Sequence, residues 1–168
     1  MINEKVLISY MNDFGGFSLK KFNERLKLQK TVYFLQKFGA SSSYTFKWYL
    51  RGPYSSLLTE DAYSIEPFVN SIKNTDDYLT SNDKKAIRKM KQLQKSIDRL
   101  KPSSFSYLQK LELLATLDIS SPLRLRNQST IVWVEKKLEK TKPKLKISEG
   151  YSAYWDLLFE YGLKSKLF

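Results

Sequence analysis

The hydrophobic and polar positions between Arg25 and Gly39 predict the central helix of the protein. At helical spacing, one side of this segment carries apolar or small residues. They are Leu28, Thr31, Val32, Leu35 and Gly39. A second apolar group lies on the opposite side and consists of Leu26, Tyr33 and Phe34. A helix that is apolar on two sides is buried between neighbours, so we expect this segment in the core.

The ends and the polar edge of this helix carry further signals. Ser18 is a candidate N-cap, and Gly39 is expected to end the helix because glycine accepts the left-handed conformation. Three lysines, Lys27, Lys30 and Lys37, share one narrow stripe. The stripe fits either the solvated edge of a core helix or a binding surface, and the pattern leaves both open.

The next segment, Tyr44–Leu50, alternates in the way of a strand. Its aromatic and apolar residues point one way and its polar residues the other, which predicts a strand covered on one face. Gly52 and Pro53 should end this strand, since glycine opens the turn and proline cannot donate to a ladder. Ser55 or Ser56 then caps a helix. The residues expected to be buried are Leu28, Val32, Leu35, Phe46, Trp48, Leu93 and Ile97.

This stretch resembles a known family. Leu-Gln-Lys at Leu28, Gln29 and Lys30, followed by Trp48 and by Gly-Pro-Tyr at Gly52, Pro53 and Tyr54, is similar to the YwgA-like family of small, mostly helical proteins. It is more distantly similar to the Panacea (SocA-like) domain of antitoxins. The resemblance covers about a fifth of the chain. It implies a helical fold and an antitoxin-like or adaptor role in protein interaction.

The cleanest helical pattern follows Ser81. Ala86, Met90, Leu93, Ile97 and Leu100 are spaced 4-3-4-3, which predicts a buried heptad seam ending near Pro102. The opposite pole of this helix carries five basic residues, with Asp98 as the only acid near them: Lys84, Arg88, Lys91, Lys95 and Arg99. A solvated face explains such a stripe, and so does a surface that binds anions.

Three further helices are predicted in the last third of the chain. Their candidate N-caps are Ser103 or Ser104, Ser129 or Thr130, and Ser148. The second of these helices ends in a run of lysines. The partial negative charge at the C-terminus of a helix stabilises cations, which explains some of them. The lysines of this run are Lys136, Lys137, Lys140, Lys142, Lys144 and Lys146. The order of these helices is similar to the tri-helical core of winged-helix proteins. The charged side chains of the last helix are all acidic, however, whereas a helix that reads the major groove needs basic or amide side chains.

These elements predict a mainly α fold with one short strand or hairpin and a C-terminal tri-helical, winged-helix-like module. We divide the chain into an N-terminal helical subdomain (1–80), a basic amphipathic helix (81–102) and a C-terminal subdomain (103–168). The charge is uneven along this division. Residues 1–80 hold 10 Lys and Arg against 8 Asp and Glu, whereas residues 81–168 hold 19 against 9.

The composition narrows the chemistry. The chain has no cysteine and no histidine, which removes thiolate chemistry, the commonest general base and the commonest transition-metal ligand. The acidic pairs Glu60–Asp61 and Asp76–Asp77 have no companion motif. We therefore expect no catalytic residues, no metal and no cofactor. Without a membrane-spanning or signal-peptide pattern, we expect a soluble cytoplasmic protein.

The placement of positive charge leads to the functional prediction. We expect a non-enzymatic regulatory protein that binds nucleic acid, such as duplex DNA, through phosphate contacts of low specificity. An acidic protein is the other partner that this charge fits. The alternative is an antitoxin-like or adaptor module that does not bind nucleic acid directly. A homodimer is compatible with either reading.

Overall fold

A computed structural model describes residues 4–15, 18–72, 74–121 and 127–165. Within these ranges the chain forms seven α-helices and one two-stranded sheet, which confirms the mainly α prediction. The helices are α1 (Glu4–Asp13), α2 (Phe22–Lys37), α3 (Ser56–Ile65), α4 (Ser81–Asp98), α5 (Tyr107–Ser120), α6 (Gln128–Thr141) and α7 (Ser152–Glu160). The strands are β1 (Lys47–Tyr49) and β2 (Gly52–Tyr54).

The chain folds as two compact units. The first consists of Met1–Lys47 and Pro53–Gln92, and the second of Trp48–Gly52 and Leu93–Phe168. Helix α4 therefore contributes its first twelve residues to one unit and the remainder to the other. Its predicted seam is buried from Ala86 to Leu100, and its basic pole is exposed.

Helix α2 is the core helix of the first unit, as predicted. Its residues Leu28–Leu35 are all buried, and Val32, Phe34 and Leu35 have no exposed surface. The helix ends at Lys37 with Phe38 as its C-cap, and Gly39 follows with a φ of +95°, the left-handed conformation expected of a glycine after a helix. The predicted cap at Ser18 is wrong, because the helix begins after Lys21 without a side-chain cap.

The two polar residues of the Leu-Gln-Lys motif hold the Gly-Pro turn from inside. Lys30 is buried, and its ammonium donates a hydrogen bond of 2.8 Å to the carbonyl of Pro53. The amide of Gln29 donates to the carbonyl of Ser55 and accepts from its N–H, at 2.9 and 2.8 Å. Lys30 therefore belongs neither to a solvated edge nor to a binding stripe. These three hydrogen bonds connect Gln29 and Lys30 on α2 to the backbone of the Gly-Pro turn and of Ser55.

The predicted strand over Tyr44–Leu50 is shorter than its alternation indicated. Only Lys47–Tyr49 pair, and all three residues are exposed. The backbone of Tyr44 instead bonds the side-chain amide of Gln36 through both its N–H and its carbonyl, at 2.9 and 2.8 Å. The prediction that Trp48 is buried is wrong, since the residue is 36% exposed, and Phe46 is only half-buried.

A buried carboxylate organises the start of α4 in the first unit. Asp83 has no exposed surface and accepts hydrogen bonds from the Tyr10 hydroxyl at 2.6 Å and from the N–H of Ser41 at 2.8 Å. The Ser41 hydroxyl donates a further bond, and Thr80 forms a reciprocal cap with Asp83. Burial raises the pKa of this carboxyl, but the hydrogen bonds from Tyr10, Ser41 and Thr80 outweigh it and lower the pKa from 3.8 to about 2.

The hydrogen bonds to Asp83 are expected to make the free energy of unfolding depend on pH in the acidic range. Because the pKa of Asp83 is lower in the folded than in the unfolded chain, its stabilisation is complete above about pH 5 and is lost as the pH falls from about 4 to 2. We expect the difference in unfolding free energy between wild type and Asp83→Asn to shrink by about 1–2 kcal/mol between pH 6 and pH 2.5. Urea unfolding at both pH values measures it. An equal difference at both would contradict the assignment.

The second unit is built on α5, which is buried along most of its length. Residues Lys110–Asp118 of this helix are all buried, including two acids and one lysine. Helix α5 begins at a capping box formed by Ser106 and Gln109, α6 is capped by Asn127, and α7 follows Tyr151 without a side-chain cap. The predicted caps at Ser103 or Ser104, Ser129 or Thr130, and Ser148 are therefore wrong, whereas Ser55 does cap α3.

The sequence also predicts Asn3 as a cap of the first helix, a helix break at Gly15 and Gly16, a basic loop that carries Arg124 and Arg126, and an extended tail that ends at Phe168. Asn3, Gly16, Arg124, Arg126 and Phe168 lie outside the described residues. The winged-helix likeness of the tri-helical module stays a prediction.

Candidate functional site

The basic pole of α4 is exposed over its whole length. Lys84, Arg88, Lys95 and Arg99 are all exposed. Lys91 is exposed as well, but its ammonium pairs with the carboxylate of Asp13 at 3.3 Å. Four of the five predicted cations are therefore exposed on this helix, and the fifth, Lys91, forms an ion pair with Asp13.

The six lysines around the end of α6 fall into three classes. Lys136, Lys140, Lys144 and Lys146 are exposed. Lys137 is half-buried, and Lys142 is buried with 7% of its surface exposed. The lysine run therefore supplies four open cations and two that make specific contacts in the second unit.

Lys142 anchors the segment Trp48–Gly52 in the second unit. Its ammonium donates a hydrogen bond to the carbonyl of Leu50 and lies 3.4 Å from Oε1 of Glu112 on α5. Burial lowers the pKa of this lysine, and the Glu112 carboxylate acts in the opposite direction. The position was predicted as a phosphate contact, but the side chain is taken up by this internal pair.

Glu112 brings a second cation to the same place. Its Oε2 lies 3.9 Å from the guanidinium of Arg51, whose side chain is half-exposed. Arg51, Glu112, Lys142 and Lys144 line an open pocket of about 260 Å³. Three of the residues that line the pocket are cations and one is a buried carboxylate, so the lining carries a net positive charge.

Beside this pocket two tryptophans flank one lysine. The ammonium of Lys137 lies 5.1 Å from the ring centroid of Trp48 and 5.2 Å from that of Trp133, and Lys142 lies 5.8 Å from Trp48. Trp133 is 58% exposed. These distances are in the cation–π range. We call Trp48, Arg51, Trp133, Lys137 and Lys144 the basic–aromatic surface of the second unit.

Sequence reasoning missed this surface as a unit. Trp48 was expected in the core, and Trp133 was not singled out. The available signal was an aromatic residue one helical turn before Lys137, since Trp133 and Lys137 are four residues apart on α6. The contribution of Trp48 comes from 85 residues away and leaves no local trace.

The acidic pairs give no catalytic geometry. Asp61 accepts a hydrogen bond of 2.8 Å from the buried Tyr44, and Asp76 and Asp77 are exposed. In the part of the chain that the structure describes, no three acidic side chains gather into a metal-binding group. In the same part, no helix combines the length and apolar character needed to cross a bilayer.

Comparisons with protein-family profiles, with curated proteins and with solved structures found no match to this chain. The resemblance to the YwgA-like family therefore stays a prediction. Function is inferred below from the side chains themselves.

Proposed function

We propose that the protein binds nucleic acid mainly through phosphate contacts, as a non-enzymatic regulatory protein with low sequence preference. The observation that supports this most directly is the set of open cations on the basic pole of α4 and around the end of α6. They are Lys84, Arg88, Lys95, Arg99, Lys136, Lys140, Lys144 and Lys146. Clustered cations of this kind neutralise phosphates and release condensed counterions.

The predominance of lysine among these cations and the acidic side chains of α7 favour contacts to phosphates over contacts to base edges. Six of the eight open cations are lysines, which act as point charges, whereas bidentate reading of a base pair needs arginine, asparagine or glutamine. Helix α7 carries the exposed acids Asp156 and Glu160 and so offers no basic front to a major groove. Duplex DNA without sequence selection is therefore the first substrate to test.

The antitoxin-like or adaptor alternative draws less support. It was based on the family resemblance of the segment from Leu28 to Tyr54, but Gln29 and Lys30 are buried and bonded to the turn that follows. The Gln-Lys and Gly-Pro parts of the motif are therefore explained by folding.

The salt dependence of binding tests the proposal. We expect replacement of Arg88, Lys95 and Arg99 by glutamine to weaken binding of a 20-base-pair duplex and to make the log–log salt slope shallower by about two to three units, since each lost contact removes about 0.9. The buried seam of α4 lies on the opposite side, so folding should persist. Fluorescence anisotropy at four salt concentrations measures both quantities.

A control variant with the same change in net charge distinguishes the loss of specific phosphate contacts from the loss of overall positive charge. Lys20, Lys21 and Lys47 are exposed cations of the first half of the sequence, and their replacement by glutamine removes the same three charges. We expect this control to leave the slope within about half a unit of wild type. A second triple variant, Lys136→Gln with Lys140→Gln and Lys146→Gln, tests the other cluster. Unchanged slopes in both test variants would overturn the proposal.

A further inference from the structure

The two exposed tryptophans of the second unit require an explanation. The chain has three tryptophans, and the third, Trp155, is buried and donates a hydrogen bond of 2.9 Å to Glu135. Trp48 and Trp133 are 36% and 58% exposed. Large aromatic rings usually bury most of their surface, and rings left at the surface beside cations mark binding sites.

The geometry places both rings within the span of a short strand. Their distances to the Lys137 ammonium, 5.1 and 5.2 Å, put the two ring centroids no more than about 10 Å apart. At about 3.4 Å per nucleotide, that span equals roughly three nucleotides of a stacked single strand. The Lys137 ammonium lies near both rings, and 36% of Trp48 and 58% of Trp133 remain exposed.

The cations and aromatic rings of this surface complement a polyanion that carries flat apolar groups. Arg51 and Lys144 line the neighbouring pocket, and Lys137 lies between the rings. The acids in the vicinity are engaged, Glu112 with Lys142 and Arg51, and Glu135 with Trp155. Aromatic rings interleaved with cations are the pattern of proteins that bind single strands, in which the bases stack and the phosphates follow the charge.

The rings are not needed to fix the segment that carries Trp48. That segment is held by its backbone, through the Lys142 bond to the carbonyl of Leu50, and by the Arg51–Glu112 pair. Trp133 lies in the middle of α6, whose buried side consists of Ile131, Val134 and Leu138. Both rings can therefore serve a ligand without a cost to the core.

We propose that the basic–aromatic surface binds single-stranded nucleic acid, with unpaired bases stacked on Trp48 and Trp133 and phosphates at Arg51, Lys137 and Lys144. This inference rests on the proposed function and narrows it from nucleic acid in general to strands with accessible bases.

The test compares two 12-nucleotide probes that share their phosphates and differ in their bases: oligothymidine and an abasic oligomer of equal length. We expect the wild-type protein to bind oligothymidine about tenfold more tightly, because stacking strengthens binding of each base. Trp48→Leu with Trp133→Leu should remove this difference and keep the salt slope. Phe68→Leu, a change at an exposed aromatic residue of the first unit, should retain the difference.

Tryptophan fluorescence of the unmodified protein provides a readout that does not depend on folding of the variants. Oligothymidine should quench the emission and the abasic oligomer should not. Equal affinity for the two probes, without selective quenching, would overturn the stacking site while leaving phosphate binding intact. Failure to bind either probe at low salt, by a protein that still binds the duplex, would overturn the single-strand site and leave the proposed function intact, whereas failure to bind the duplex as well would overturn both proposals.

Discussion

Replacing Lys164 by methionine is expected to destabilise the protein by about 3–5 kcal/mol, because the change leaves a fully buried carboxylate without its cation. The Lys164 ammonium lies 3.0 Å from Oδ1 of Asp118, and the two side chains are 2% and 0% exposed. Both residues belong to the second unit, where the pair joins the segment after α7 to the buried helix α5. Chemical denaturation monitored by circular dichroism at 222 nm measures the loss.

A double variant distinguishes the charge effect from loss of packing. Replacing both partners at once, Asp118→Leu with Lys164→Met, removes the unpaired charge and fills the site with apolar volume. Buried ion pairs replaced in this way often cost little. We therefore expect the double variant to recover most of the loss. A double variant that is less stable than Lys164→Met would show that shape, and not charge pairing, dominates at this position.

Replacing Lys142 by methionine is expected to cost about 3 kcal/mol and to weaken the binding of oligothymidine. The stability cost comes from Glu112, which is left buried, and lies at the low end of the usual range because Arg51 remains 3.9 Å away. Binding should weaken because the bond from Lys142 to the Leu50 carbonyl, which positions Trp48 and Arg51, is lost. Denaturation and anisotropy on the same preparation measure both effects.

The exposed neighbour Lys140 provides the matched control. Lys140→Met removes the same charge from the last turn of α6, two residues before Lys142, without breaking an internal pair, and we expect a change in unfolding free energy within about 0.5 kcal/mol of zero. The result that would contradict the anchoring role is a similar stability for the two variants. In that case Lys142 would act only as one more surface cation.

Folding and the proposed phosphate binding involve different lysines. Lys142 and Lys30 are buried donors to backbone carbonyls, one in each unit, whereas Lys136, Lys140, Lys144 and Lys146 stay open. Counting lysines along the sequence cannot separate these two uses. The phosphate-binding proposal therefore rests on the open set, and Lys142 enters it only through the segment that it holds.

The sequence by itself determined the elements whose burial follows from spacing. The apolar residues of α2 and the 4-3-4-3 seam of α4 are buried where periodicity placed them, because in a helix the spacing of side chains fixes the face on which they lie. The left-handed glycine after α2 followed from its conformational freedom alone, and Gly52 at the turn has a φ of +86°. Helix starts were less well predicted, since serine, threonine and asparagine recur within a few residues of each true cap.

Only the tertiary structure decided the fate of the charged and aromatic side chains. Lys142 is buried because Glu112 and the carbonyl of Leu50 meet it from positions 30 and 92 residues away, whereas Trp48 lies on a short strand whose three residues are all exposed. A charged group can be buried only where a remote partner compensates its lost hydration. Local periodicity contains no record of that partner, so the pairs Lys142–Glu112 and Lys164–Asp118, and the two tryptophans around Lys137, emerged from the fold alone.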